Sequence, residues 1–210
     1  EYSGETLPGS YVAGVYYPDK TRVGWWKNGY PEYFAKVLNA PNWIGIHVMI
    51  ESQKLDLAKC EVDNFKRVLD MKLGLLTRSF SATLPDGKKV KVEAKRFCSM
   101  ADGEIGAVRY AITPLNFSGK AIFSIAIDAD VVNKDSNYDE KFWEEVNRHA
   151  AEGESIVTAQ TKKTKFHVCT GMRYFILEEG KNVIGRINLE ERDKYAGYVV
   201  QLDLHEGKEI

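Results

Sequence analysis

Four histidines (His47, His149, His167 and His205) and three cysteines (Cys60, Cys98 and Cys169) are the residues of this chain best suited by type to catalysis or metal binding. Their spacing gives them no shared chemistry. The histidines are widely separated, no Cys-x-x-Cys occurs, and a strand histidine such as His47 or His167 reads as a hydrogen-bonded structural residue. There is no Gly-x-Ser-x-Gly elbow, no His-Glu-x-x-His and no glycine-rich phosphate or dinucleotide loop. The run Asp135-Ser136-Asn137-Tyr138-Asp139 alternates like a calcium loop, but Glu140 stands where the turn needs glycine and Val146 where a bidentate glutamate belongs. Thirty Asp and Glu residues offer many formal glycosidase pairs, yet that chemistry needs two acids at a fixed distance in space, which spacing across strands does not define. No catalytic residue, metal or cofactor is therefore expected in this chain.

What stands out instead is aromatic. Of 11 Tyr, 9 Phe and 4 Trp, a cluster runs from Gly24 to Phe34 and includes Trp25, Trp26, Asn28 and Tyr30, with Asn42 and Trp43 following. A second group, Asn137, Tyr138, Phe142 and Trp143, lies further on. Aromatic faces stack on the C–H faces of sugars while amides bond their hydroxyls, so these eight residues (Trp25, Trp26, Asn28, Tyr30, Asn137, Tyr138, Phe142 and Trp143) are candidate sugar contacts. The same rings would equally fill a core or a domain interface, and that reading is the stronger.

The elements that must position these residues are strands. At 210 residues, 44% hydrophobic and 28% charged, the chain can bury a sizeable core. Its 29 basic residues nearly cancel 30 acidic ones, so no nucleic-acid footprint shows, and no apolar run is long enough to span a membrane. Unpaired cysteines without disulfide spacing fit a reducing, cytoplasmic compartment, where the sequon Asn116-Phe117-Ser118 has no role. Short runs bounded by Gly, Pro, Asp or Asn repeat throughout, at Val12–Tyr17, Trp43–Ile50, Lys66–Met71, Leu75–Thr83, Lys89–Phe97, Gly106–Thr113, Ala121–Val131, Ser155–Thr161, Phe166–Leu177, Val183–Leu189 and Tyr195–Leu204. Leu84-Pro85-Asp86-Gly87-Lys88 marks a hairpin. Beyond it Val90, Val92 and Ala94 alternate with charged residues, which predicts a sheet wet on one face. The expected fold is a mainly β, large antiparallel sandwich in one domain over residues 1–210. One short helix is expected near 138–149, because Phe142, Trp143 and Val146 share a helical face and Asn137 with Glu140 forms a capping box.

Three stretches carry a likeness. Tyr2-Ser3-Gly4-Glu5-Thr6-Leu7-Pro8-Gly9-Ser10-Tyr11-Val12-Ala13-Gly14-Val15, Val23-Gly24-Trp25-Trp26-Lys27-Asn28-Gly29-Tyr30-Pro31 and Asp135-Ser136-Asn137-Tyr138-Asp139-Glu140-Lys141-Phe142-Trp143 resemble the N-terminal domain of glycoside hydrolase family 65. The resemblance covers essentially the whole chain and is greatest to the maltose-acting phosphorylases. It implies a non-catalytic super-sandwich that supports an (α/α)6 barrel absent from these residues. In that barrel a single glutamate would protonate the glycosidic oxygen while inorganic phosphate attacks the anomeric carbon, with inversion. It further implies maltose and phosphate as substrates of the parent, the barrel as a partner, a homodimer, and an inactive isolated domain. Two alternatives stay open: a carbohydrate-binding module, and a domain of a family hydrolase acting on another α-linked glucose disaccharide. The Trp25-Trp26 segment and the residues around Trp143 are the expected contacts to the barrel or a second subunit.

Overall fold

The computed structural model describes residues 9–20, 31–133 and 140–210. Among them the secondary structure is entirely strand and turn, with no helix. In chain order the strands are β1 (Tyr16–Lys20), β2 (Tyr33–Val37), β3 (Ile46–Ile50), β4 (Gln53–Lys54), β5 (Glu61–Asp70), β6 (Leu75–Thr83), β7 (Lys89–Cys98) and β8 (Gly106–Pro114). They continue as β9 (Gly119–Asp128), β10 (Trp143–Ala151), β11 (Glu154–Thr161), β12 (His167–Arg173), β13 (Leu177–Glu178), β14 (Lys181–Asn182), β15 (Arg186–Arg192) and β16 (Tyr195–Leu204).

All pairings are antiparallel, and they build a sandwich, as the sequence predicts. One layer is a five-stranded sheet in the order β15-β16-β9-β3-β4. Its inner face is covered in two parts. The four-stranded meander β5-β6-β7-β8 closes one half, and Phe80, Val92 and Ile112 meet Val48, Phe123 and Val200 there in a shared apolar interior. The sheet β10-β11-β12 and the ribbon β1-β2 close the other half, where Tyr17, Leu38, Phe142, Trp143 and Val157 pack against Ile127 and Ala196. Alternation in β16 sets this up, since Ala196, Tyr198, Val200, Leu202 and Leu204 all point inward and are buried.

The helix expected near 138–149 is a correction. Its first positions lie outside the described residues, and from Glu140 onward the chain is extended, with Trp143–Ala151 forming β10. A bulge explains the misleading pattern. β10 pairs Glu145 with Ala159 and Asn147 with Thr158, so Val146 is an extra residue that shifts the alternation by one. The expected stripe of Phe142, Trp143 and Val146 therefore combines two buried residues at the start of the strand with the bulged Val146, which is exposed.

Elsewhere the expected strands hold with shifted ends. Leu75–Thr83 and Tyr195–Leu204 match their predicted bounds, and the hairpin at Leu84–Lys88 joins β6 to β7 with Gly87 at φ 85°. Val12–Tyr17 becomes Tyr16–Lys20, Val183–Leu189 becomes Arg186–Arg192, and the aromatic stretch hides a further strand at Tyr33–Val37.

Candidate functional site

Two of the stretches that carry the family likeness meet, through Ser10 and Trp143, at one buried asparagine. Asn39 follows β2 and is almost completely enclosed. Its side-chain oxygen accepts from the Ser10 amide at 2.9 Å, and its side-chain nitrogen donates to the Val132 carbonyl at 3.1 Å. Its backbone amide donates to Asn133 Oδ1 at 2.9 Å, and its carbonyl accepts from Trp143 Nε1 at 2.8 Å. Asn133 in turn donates to the Val37 carbonyl at 2.8 Å, and Ala40 donates to the Ser10 carbonyl at 2.6 Å. One residue thus ties together Ser10, the 132–133 segment and Trp143. A buried amide with both ends bonded fixes orientation more strictly than an apolar contact does.

The ribbon β1-β2 sits beside this node and carries a buried ion pair. Asp19 and Lys36 are only 6% and 7% exposed at their side chains and are in direct contact. The Lys36 ammonium also lies 5.3 Å from the Phe142 ring centre. Next to it, the buried Tyr17 ring packs on Phe142 with centres 4.6 Å apart, and its hydroxyl donates to Glu140 Oε1 at 3.3 Å. Burial, reinforced by the Glu140 carboxylate, pushes the Tyr17 hydroxyl up to about 12, so it stays a donor at any physiological pH. The turn after β11 closes over the pair. Lys163 Nζ lies 4.7 Å from the Tyr17 ring centre, and Thr164 Oγ1 donates to the Tyr16 carbonyl at 2.9 Å. Asp130 anchors the neighbouring loop through Lys141 at 2.5 Å and Lys194 at 3.4 Å, and the hydrogen bond from Lys141 holds its carboxyl below the usual range.

The opposite face of the ribbon meets solvent. The register pairs Tyr16 with Val37, Pro18 with Ala35 and Lys20 with Tyr33, and Tyr16, Tyr33 and Val37 are all exposed. An apolar two-stranded surface thus lies beside the buried polar node.

Of the eight residues singled out by sequence, Trp25, Trp26, Asn28, Tyr30, Asn137 and Tyr138 lie outside the described residues. Phe142 and Trp143 are described, and both are buried in the domain's own interior at 1% and 2% exposure. Neither offers a ring face to a sugar. The sequence reading passed over Asp19, Lys36 and Asn39, and read Glu140 only as a helix cap, because their partners lie on other elements. Asn39 and Trp143, for example, are 104 positions apart.

Among the described residues, the histidines and cysteines stand apart from one another. Among the described residues no group of three or more His, Cys, Asp or Glu is disposed to hold a metal ion. The cysteines are free, and none of them is buried. His47 stands on the outer face of β3, where burial and the Lys54 charge push its imidazole below the ordinary value. His167 is exposed, with Nε2 3.1 Å from Gln160 Oε1. A depression of about 320 Å³ lies over β11 and β12, where Gly171 leaves room beside Ile156, and its one carboxylate, Glu154, is paired to Arg173 at 3.1 Å.

The sequence model described as "Glycosyl hydrolase family 65, N-terminal domain" matches residues 1–210. The maltose phosphorylase of Bacillus subtilis (strain 168) is 42% identical over 167 residues, covering 79% of this chain and 22% of that protein. A kojibiose phosphorylase of Thermoanaerobacter brockii is 32% identical over 125 residues, covering 60% of this chain and 15% of its own. Among solved structures, one provisionally described as a kojibiose phosphorylase from human microbiome superposes with a TM-score of 0.83 at 23% identity, over 100% of this chain and 26% of its own. That likeness shows the fold. The chain thus spans about a fifth of the length of the curated relatives it matches.

Proposed function

Because the chain belongs to glycosyl hydrolase family 65 as its N-terminal domain, we propose that it is the supporting β-sandwich of a disaccharide phosphorylase that cleaves maltose with inorganic phosphate. The observation that carries the choice of maltose is the 42% identity to a maltose phosphorylase over 79% of the chain, against 32% over 60% for a kojibiose phosphorylase. Residues 1–210 act as one non-catalytic domain, and the reacting groups belong to a barrel elsewhere in the parent. Phosphate there replaces the water that a second carboxylate would activate in a hydrolase, so one general acid suffices.

The domain's own part is positioning. The Asn39 node and the buried Asp19–Lys36 pair fix the ends of the segments that hold Trp25, Trp26, Asn28, Tyr30, Asn137 and Tyr138. These six side chains, with the exposed face of Tyr16, Tyr33 and Val37, form the contact to the barrel or to the second subunit of a homodimer. Free cysteines at Cys60, Cys98 and Cys169 support a cytoplasmic location.

The test is the full-length protein incubated with phosphate and each of maltose, kojibiose, trehalose and nigerose. Release of glucose 1-phosphate from maltose at the highest kcat/KM supports the reading. Preference for another disaccharide overturns the choice of maltose.

A further inference from the structure

β8 is the outer strand of the four-stranded meander, and successive residues along it turn their backbone groups toward β7 and then toward the open side. Leu115 donates to the Lys89 carbonyl and Ser99 to the Ile105 carbonyl. In that register the backbone groups of Pro114, Ile112 and Val108 point away from β7. Residues 207–210 take the first two. Gly207 donates to the Pro114 carbonyl at 2.8 Å, and Ile210 exchanges two backbone hydrogen bonds with Ile112, at 2.8 and 3.0 Å. Two residues that exchange both bonds are antiparallel, so the chain at Ile210 runs toward Val108. The Ile210 side chain packs on the buried core, while Glu209 before it pairs with Arg109 at 2.5 Å. Among the described residues no backbone group pairs with the open side of Val108.

The two edges of this sheet are built differently. β5 carries Glu61, Asp63, Lys66, Arg67 and Asp70, its register is broken by a bulge between Asp63 and Lys66, and Asn64 there has φ 54°. Charges and a bulge are how an exposed edge is kept from pairing. β8 has a single charged residue, Arg109, and an unbroken register from Gly106 to Pro114. It has the makings of an inner strand.

We propose that the residues directly following Ile210 in the parent polypeptide continue as a fifth strand of the meander, antiparallel to β8 as far as Val108. Main-chain hydrogen bonds hold such an added strand, and alternate side chains set its register. The second and fourth residues after Ile210 face the interior, and the first and third face outward beside Ala111 and Arg109. This path leads to Gly106, where the Trp43 ring packs and Trp43 Nε1 donates to Ser10 Oγ at 3.0 Å. The inference rests on the reading of the chain as the N-terminal part of a longer enzyme, since it covers 22% of the maltose phosphorylase it matches.

The experiment uses the full-length protein carrying Arg109→Cys and a cysteine at the third residue after Ile210, with Cys98→Ser to remove the thiol on neighbouring β7. These two positions form a directly opposed pair with Cα atoms about 4.5 Å apart. That lies within the ~4.4–6.8 Å a disulfide spans. Mild oxidation should join them within one chain, in at least about tenfold higher yield than when the cysteine stands at the second or fourth residue, whose side chains face the other way. Equal yields at the three positions, a disulfide only between two chains, or none would each overturn the proposal. Ala107→Cys with the fifth residue after Ile210 repeats the test should Arg109→Cys fold poorly. In the unsubstituted full-length protein the Val108 amide should exchange at least about a hundredfold more slowly than an open amide, and exchange at the open rate would also overturn the proposal. Phosphorolysis by the same preparation is measured separately. Its absence would count against the proposed function while leaving the disulfide result as it stands.

Discussion

Replacing Trp143 separates a structural role from a contact role. The indole is 2% exposed, packs in the interior with Tyr17, Leu38 and Val157, and donates to the Asn39 carbonyl at 2.8 Å. Trp143→Ala removes a fully buried aromatic side chain, at about 3–5 kcal/mol. It also removes a buried hydrogen bond, worth about 1 kcal/mol more. That is a large share of the ~5–15 kcal/mol that holds a typical domain together. Trp143→Phe keeps most of the ring and loses the donor, so about 1–3 kcal/mol is expected. Site-resolved hydrogen exchange in the full-length protein reads this locally, at the Val157 and Ala159 amides on the neighbouring strand. Protection should fall about a thousandfold to ten-thousandfold in Trp143→Ala and roughly tenfold in Trp143→Phe, taking ~1.4 kcal/mol per factor of ten. Trp26→Ala, at a position proposed as a contact, should leave those amides unchanged and lower subunit association or phosphorolysis. Unchanged protection in Trp143→Ala would refute the placement of the indole in the interior.

Three further outcomes follow from the same packing. Lys36→Met leaves the Asp19 carboxylate buried without its ammonium and should cost about 3–5 kcal/mol by denaturant titration, most of it recovered in Lys36→Met/Asp19→Leu. Equal losses in the single and double variants would contradict the pairing. Gly106→Ala drives a methyl against the Trp43 ring at 2.3 Å and should cost about 1–3 kcal/mol in thermal unfolding, whereas Gly103→Ala, with nothing within 4 Å, should be nearly neutral. The fold lowers the affinity of His47 for its proton, chiefly by burial. Its stabilisation is therefore complete above the unfolded value of about 6.5 and is lost as pH falls through the depressed folded value. Between about pH 7.5 and about pH 5 the wild-type protein should lose more stability than His47→Gln, and parallel pH profiles would contradict this.

The parts of the fold readable from sequence were those whose pattern is local. The Pro-Asp-Gly turn and the clean alternation of Val90 and Val92 defined β6 and β7, and a run of inward even-numbered residues defined β16. Where an extra residue breaks the period, as Val146 does in β10, the same local logic produced a helix that the structure replaces with a bulged strand. Tyr33–Val37 was hidden because its exposed face, Tyr33, Ala35 and Val37, is the apolar one while its buried position is Lys36, which inverts the usual alternation. The node at Asn39 and the Asp19–Lys36 pair had no local signal at all, since each joins residues far apart in sequence or on separate strands. The aromatic residues were singled out by type, but ring type alone does not separate a buried Trp143 from a ring offered to a partner.

The central claim concerns what the parent of this domain does with phosphate. Incubating the full-length protein with maltose, with and without inorganic phosphate, and following glucose 1-phosphate and free glucose together, tests it most directly. The account predicts equimolar glucose and β-glucose 1-phosphate, formed only when phosphate is present. Two glucose molecules per maltose, released at the same rate without phosphate, would contradict it.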